Sequence, residues 1–502
     1  MEARAAVDDR IAPSGIRILP RLMVLLFGLV LVAWVVPDTV ILISAGLAVY
    51  ALLGPRQTLE ALFLTALLIL MSFGDINMGR WLVLFAAFVR TVWDAGVARQ
   101  SAPPLFRSIL IFVLAILVLS AIGSYYPLIS ILKAVSWGMG VLSMIAAFHR
   151  TDHLRDYWLS WFLTLGLFIL YASLPLYFSS LGYRRNGVGF QGILSHPQTF
   201  GPILAPIAAL LTGLVLFHGA RSRVLLGGIV LAWFSIYASQ ARTGLLAVVL
   251  AFIAVVVISM VRGGPWRSAI TLRLGRFTTV LALLVLCVFS LLYWTAIEQS
   301  VTGFLVKDYR IEDGATEASM AEALEGSRSQ LIAKSMSNFR KAPLTGIGLG
   351  VPSDVASGLR VETGLLGLPQ GASVEKGFMA SAILEESGLI GAFLFLFILI
   401  GLIRSALFTR SPLLFWIVLT SLLVNLGEAI LLSIGGNGFF HWLLLTFCYA
   451  YARSARGQPL DTLTRTLIGN ENNDQRRLRS YGRSSDVPPE YSTLAPTGGA
   501  RL

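Results

Sequence analysis

The chain has 502 residues, of which 56% are hydrophobic and only 13% charged, and it carries a formal net charge of +12. Soluble domains carry about 25% charged residues, so this composition excludes an ordinary soluble enzyme, a disordered chain and a disulfide scaffold. The apolar runs are continuous rather than alternating, which excludes a β-barrel. No basic domain with interleaved aromatics accompanies the positive charge, so nucleic acid is not expected as a partner.

In chain order, residues 1–21 are polar and contain Arg4, Arg10, Arg17 and Arg21. Apolar stretches then fall near 22–37, 39–54, 58–74, 80–98, 107–123, 128–148, 156–180, 198–218, 223–240, 243–261, 277–296, 380–407, 412–434 and 438–453. No small-residue cleavage site follows the first of them, so it reads as a retained helix. The expected fold is an all-α polytopic membrane protein with about 14 transmembrane helices and one large outer helical loop. The expected divisions are a cytoplasmic segment 1–21, a membrane domain 22–296, a periplasmic loop 297–379, a second membrane part 380–453 and a disordered cytoplasmic tail 454–502.

Arginines set the orientation. With the N-terminus inside, Arg56, Arg99, Arg107, Arg150, Arg155, Arg221, Arg223, Arg262, Arg404 and Arg410 fall on inner segments, and the Arg-rich tail joins them. Both termini are then cytoplasmic and the long loop is periplasmic. Within that loop, Thr316–Leu324 and Ser327–Lys341 read as helices. The second has an apolar stripe of Ile332, Met336 and Phe339 at helical spacing, suited to rest on the membrane domain.

Four outer patches carry candidate chemistry. The first is Arg184-Arg185-Asn186, then Phe190-Gln191-Gly192 and Ser195-His196-Pro197-Gln198. His196 can act as a donor or base, or simply bond nearby backbone at a helix start. The second is Ser239-Gln240-Ala241-Arg242-Thr243-Gly244, a tight turn between two spans. Outer arginines oppose the topology signal, so they suit an anionic ligand or lie against lipid phosphate. The third runs from Arg328 to Pro343-Leu344-Thr345-Gly346-Ile347-Gly348-Leu349-Gly350. Its glycines do not follow a strand, so no P-loop or Rossmann reading applies. The fourth is Glu375-Lys376-Gly377-Phe378 followed by Glu385-Glu386-Ser387-Gly388. Carboxylates entering an apolar run suit general-base work; Glu386 can equally pair with a cation and fix the loop. Ionisable residues inside the spans, Arg90, Lys133, Glu428 and His441, should face the protein interior, with Arg90 and Glu428 as one conceivable pair.

Together these patches resemble the bacterial O-antigen ligase and Wzy-type polysaccharide polymerase superfamily. The resemblance rests on Phe190-Gln191-Gly192, His196-Pro197-Gln198, Gly201, Ser239, Arg242-Thr243-Gly244, Arg328, Pro343 to Gly348, and Glu386-Ser387-Gly388-Leu389-Ile390-Gly391, in that order. It implies a C-type membrane glycosyltransferase of the inner membrane. The donor would be a glycan on undecaprenyl pyrophosphate, used on the outer face without metal or other cofactor. By this likeness Arg242 and Arg328 bind the pyrophosphate; Arg184, Arg185 and Lys376 are further candidates to assist them.

Many ligases carry a His-Asn pair shortly before the Glu-x-Gly motif, where this chain has Glu375-Lys376-Gly377-Phe378. The base role then falls to Glu375, with His196 and Glu386 as further candidates, and the resemblance leans towards a polymerase joining lipid-linked repeat units. A ligase moving finished glycan to lipid A-core or protein is the near alternative, and a transporter or flippase of lipid-linked glycans the distant one. Expected partners are the lipid bilayer and polysaccharide export or chain-length-control proteins.

Overall fold

The computed structural model describes residues 17–71, 76–98, 103–183, 189–218, 220, 222–262, 331–353, 376–409 and 411–454. The described residues are helical and contain no strand. In chain order the long helices are α1 (Pro20–Val35), α2 (Thr39–Leu52), α3 (Pro55–Met71), α4 (Ile76–Ala98) and α5 (Pro104–Gly123). They continue with α6 (Pro127–Arg150), α7 (Arg155–Ser173), α8 (Pro197–His218), α9 (Arg223–Ala238) and α10 (Arg242–Arg262). The last three are α11 (Met379–Phe408), α12 (Pro412–Leu423) and α13 (Asn437–Ser454). Each of thirteen apolar stretches overlaps one of these helices, though 156–180 and 412–434 extend well beyond theirs; the other, 277–296, lies outside the described residues. Proline opens α1, α3, α5, α6, α8 and α12, where its missing N–H would have no helical partner anyway.

Six helical segments among the described residues are long and apolar enough to cross a membrane: α5, α6, α7 with its flanking turns, α8, α10 and α11. Helices α1, α2, α9 and α12 are apolar but shorter. The burial pattern separates inner from outer helices. Every residue of α3 from Thr58 to Met71 is buried, and α7, α8, α12 and α13 are buried along most of their length. Large apolar side chains such as Phe27, Trp93, Ile122, Val230, Val261 and Phe393 instead face outward. So much exposed apolar surface is unstable in water and belongs against hydrocarbon.

The helix connections fall at two ends of the bundle. At one end Glu60 gathers Arg56 at 2.9 Å and the Tyr157 hydroxyl at 2.5 Å, together with Tyr50. Nearby in chain order, Asp94 pairs with Arg90 at 2.7 Å and also with Arg150. The partner of Arg90 is therefore Asp94, one turn along the same helix, and not Glu428; an i,i+4 pair needs no long-range arrangement.

At the other end, three departures from the sequence reading matter. The stretch 412–434 is not one helix: α12 stops at Leu423 and short 3-10 turns follow. Asn425 holds this irregular backbone, donating to Ser421 O at 3.0 Å and accepting from Leu431 N at 3.0 Å. The indoles of Trp137 and Trp442 both donate to Leu431 O, at 2.9 and 2.8 Å. Non-helical backbone at such depth needs internal partners, and these side chains supply them.

The second departure concerns helical residues 331–341. Ser335 and Asn338 form the buried face, while Ile332, Met336 and Phe339 are only half-buried. The polar face turns inward because it has a buried carboxylate to serve, as described below.

The third is a break in α11 at Gly388, whose φ of 63° and ψ of −166° are non-helical. The glycine-rich segment 343–348 docks into this break and replaces the helix's own hydrogen bonds. Ile347 N donates to Glu385 O at 2.8 Å and Gly348 N to Glu386 O at 3.1 Å, while Leu389 N donates to Pro343 O at 2.8 Å. Backbone approach this close leaves no room for side chains. A Cβ on Gly346 would lie 2.5 Å from the Glu386 carbonyl carbon, and one on Gly388 would overlap the Leu344 carbonyl. Gly388→Ala combines a positive φ with that overlap. It is expected to cost about 3 kcal/mol or more, measured as a lowered unfolding temperature of the purified protein.

Candidate functional site

Two polar clusters lie at this second end. The first forms around Glu385 and Glu386, just before the break in α11. Glu385 is fully buried. Its Oε1 accepts from Asn338 Nδ2 at 2.7 Å, and its Oε2 accepts from Ser335 Oγ at 2.7 Å, Ser353 Oγ at 3.0 Å and Lys376 Nζ at 2.9 Å. Asn338 Nδ2 also donates to Ser353 O at 2.7 Å. A carboxylate with four donors has its lone pairs occupied and is suited to organising the segments around it.

Glu386 is placed differently. It is 3% exposed, with Oε1 3.4 Å from Lys376 Nζ and Oε2 3.6 Å from Lys133 Nζ. The second distance is that of an ion pair but too long for a hydrogen bond, and Oε2 has no hydrogen-bond partner among the described residues. Glu386 Oε2, shut off from solvent, therefore keeps a lone pair that no described donor uses. Lys133 enters from α6 with a quarter of its side chain exposed, and Gly350 makes room for it: a Cβ there would sit 2.5 Å from Lys133 Cδ. The sequence reading left Lys133 outside the candidate set. Its signal was a lysine two turns inside an apolar run, near the helix end.

The second cluster joins the start of α8 to the turn between α9 and α10. Phe190 N donates to Ala238 O at 2.9 Å. A Cβ on Gly189 would lie 2.7 Å from Ser239 O, and one on Gly244 would lie 2.9 Å from the Gly201 carbonyl. The glycines thus let α8, α10 and the turn meet backbone to backbone. Phe190 anchors the segment, stacked on Tyr177 at 3.7 Å between ring centres and edge-on to Phe200 at 5.4 Å.

His196 precedes α8, and its Nδ1 accepts from Gln198 N at 3.0 Å. The ring thereby caps the helix start through Nδ1. Gln240 takes a left-handed φ of 57°, and Arg242 follows as the first residue of α10, half-buried. A cation at a helix N-terminus opposes the helix dipole. The positive end of the helix dipole at the same place favours an anion, although Arg242 N and Gly244 N are already bonded to Gln240 O and Ala241 O.

The two clusters share connecting structure. Ala429 N donates to Lys376 O at 3.2 Å, and Asn437 Nδ2 donates to Gln198 O at 3.4 Å. The segment 429–437 therefore touches both. Ser195 N donates to Leu70 O at 3.0 Å and Tyr125 N to Ile347 O at 3.0 Å, which brings the ends of α3 and α5 to the same side.

Of the candidates from sequence, His196 and Arg242 belong to one cluster, and Lys376 and Glu386 to the other. Glu375, Arg328, Arg184 and Arg185 lie outside the described residues. Ser335, Asn338 and Ser353 are additions, and ordinary serines and asparagines in a long loop carry no local signal that they would meet a carboxylate. No protein-family model matches this chain, and no curated protein matches it either.

Proposed function

We propose that this chain is a membrane glycosyltransferase that polymerises undecaprenyl-pyrophosphate-linked repeat units into a surface or exopolysaccharide. It would have about 14 spans, both termini in the cytoplasm, and its site and large loop facing the periplasm. One observation supports this reading most. An apolar helical bundle gathers, at a single end, an arginine on a helix start and a buried carboxylate that has one oxygen without a hydrogen bond among the described residues and two lysines beside it.

In the proposed reaction an acceptor sugar hydroxyl attacks the anomeric carbon of the donor. The C–O bond to the pyrophosphate breaks, the configuration inverts, and lipid pyrophosphate leaves carrying the bonding electrons. Arg242 and Arg328, assisted by Arg184 and Arg185, would stabilise the charge growing on that leaving group. Lys376 is already committed to Glu385 and Glu386, so its part is to hold the carboxylates in place. The acceptor proton goes to Glu375 or to Oε2 of Glu386. The apolar outer helices leave the lipid chain in the bilayer while its head group reaches the polar end.

The test compares Arg242→Ala and Arg328→Ala with Arg223→Ala at the opposite end, at matched membrane abundance in the native host. The first two are expected to lower transfer by about 10²–10³-fold, with the control near normal. Accumulated single lipid-linked repeats identify a polymerase. Long glycan held on the lipid carrier identifies a ligase. Normal glycan in both outer variants removes the pyrophosphate assignment and favours a transporter.

A further inference from the structure

Arg80 lies in the second turn of α4, at the end of the bundle that holds both polar clusters. Its residue is 8% exposed. Among the described residues it makes no ion pair, and its Nε, shut off from solvent, has no hydrogen-bond partner. Arginine stays charged in proteins, and a buried charge without compensation is strongly unfavourable. Other deeply placed cations are compensated: Lys376 by two carboxylates, Lys133 by Glu386 and Arg150 by Asp94. Arg80 departs from that pattern.

The surroundings of Arg80 are built around its guanidinium. Nη1 lies so close to Gly435 that a Cβ there would overlap it. Gly435 is itself exposed, and a side chain on Gly436 would meet open space. Among the described residues, the exposed backbone of Gly435 thus lies directly against the guanidinium. The turn is pinned at both ends. Ser433 Oγ accepts from Gly435 N at 3.2 Å, and Asn437 donates to Gln198 O at 3.4 Å. One helical turn deeper, Leu84 and Ile434 both pack close to Gly140, so α4 and the turn keep a fixed separation. On its outer face α4 presents Leu82 and Phe85.

We infer that Arg80 and the Ser433–Asn437 turn form a binding site for the phosphate group of a lipid. A planar guanidinium matches phosphate oxygens with two parallel hydrogen bonds, and the exposed backbone of Gly435 lies beside it, while the apolar face of α4 at Leu82 and Phe85 is on the opposite side of the helix. The phosphate can belong to an anionic phospholipid or to a polyprenyl pyrophosphate. The inference does not depend on glycosyl transfer.

The experiment uses the purified full-length protein in nanodiscs of phosphatidylcholine alone, with added phosphatidylglycerol, or with added polyprenyl pyrophosphate. Thermal unfolding is followed in each. The parent protein is expected to gain stability from at least one anionic lipid. Arg80→Met should lose that gain, with affinity lowered roughly ten- to hundredfold. In phosphatidylcholine alone the same variant should be at least as stable as the parent, because an uncompensated charge is gone. Gly435→Ala, which crowds the guanidinium but keeps its charge, should also lose the gain. A gain from phosphatidylglycerol only assigns the site to membrane phospholipid, and a gain from the pyrophosphate only assigns it to the polyprenyl carrier. The inference is overturned if neither lipid stabilises the parent, or if Arg80→Met gains as much as the parent. It is also overturned if Arg80→Met is destabilised in phosphatidylcholine alone, which would make Arg80 an internal structural cation.

Discussion

Replacing Glu385 by leucine is expected to destabilise the protein by about 3–5 kcal/mol. The carboxylate is the common acceptor for Ser335, Asn338, Ser353 and Lys376. Those donors come from helical residues 331–341, from the segment that follows them, and from the start of the chain leading into α11. Removing the acceptor leaves several buried donors without a partner, and Lys376 keeps only the longer contact to Glu386 at 3.4 Å. Each orphaned group costs its full desolvation penalty. Thermal unfolding of purified protein and abundance in membranes both read the effect. Glu385→Gln preserves the shape and part of the acceptor capacity, so it should fall between the parent and the leucine variant. A leucine variant as stable as the parent would show that the carboxylate does not organise this end of the bundle.

The neighbouring residue should behave in the opposite way. Glu386→Gln is expected to lower glycosyl transfer by about 10²–10⁴-fold, the usual contribution of a general base, while costing only about 1 kcal/mol in stability. Its contacts to Lys376 and Lys133 are long, its Oε2 has no hydrogen bond among the described residues, and Lys133 is partly exposed and can turn to solvent. Transfer is measured with lipid-linked repeat units and purified enzyme, and unfolding is measured on the same preparation. Glu375→Gln belongs in the same assay, since only one of the two carboxylates can be the principal base. If Glu386→Gln is as unstable as Glu385→Leu, then Glu386 is a structural anion and the base lies elsewhere.

The helical class and the placement of most long helices were legible because a continuous apolar run is a local property. So was the suspicion attached to Glu385-Glu386, because charge inside an apolar run is conspicuous. The break in α11 was not legible. Ser387-Gly388 looks like many helical pairs, and its distinguishing feature is a segment some forty residues earlier that supplies replacement hydrogen bonds. The Pro343–Gly350 glycines carry no P-loop pattern; Gly346 serves close backbone approach to that break, while Gly348 and Gly350 make room for the Ser124 and Lys133 side chains. The inward turn of Ser335 and Asn338 moved the expected apolar stripe to the flank of the buried face, because the energetic demand came from a carboxylate in another part of the chain. Lys133 joined the cluster from a helix some 250 residues away from Glu386, a distance over which sequence pattern carries no pairing information.

The docking of residues 343–348 into α11 also bears on how the protein is made. During synthesis this segment emerges before α11 does. When α11 enters the bilayer, the groups around Gly388 have no helical partners of their own. They can be completed only by a segment already waiting at the end of the bundle. Insertion of a helix late in the chain is thus tied to the prior delivery of a loop. A change confined to that loop, such as a side chain on Gly346, should therefore appear in the cell as failed membrane integration and rapid proteolysis of the whole chain, and not as a local surface defect.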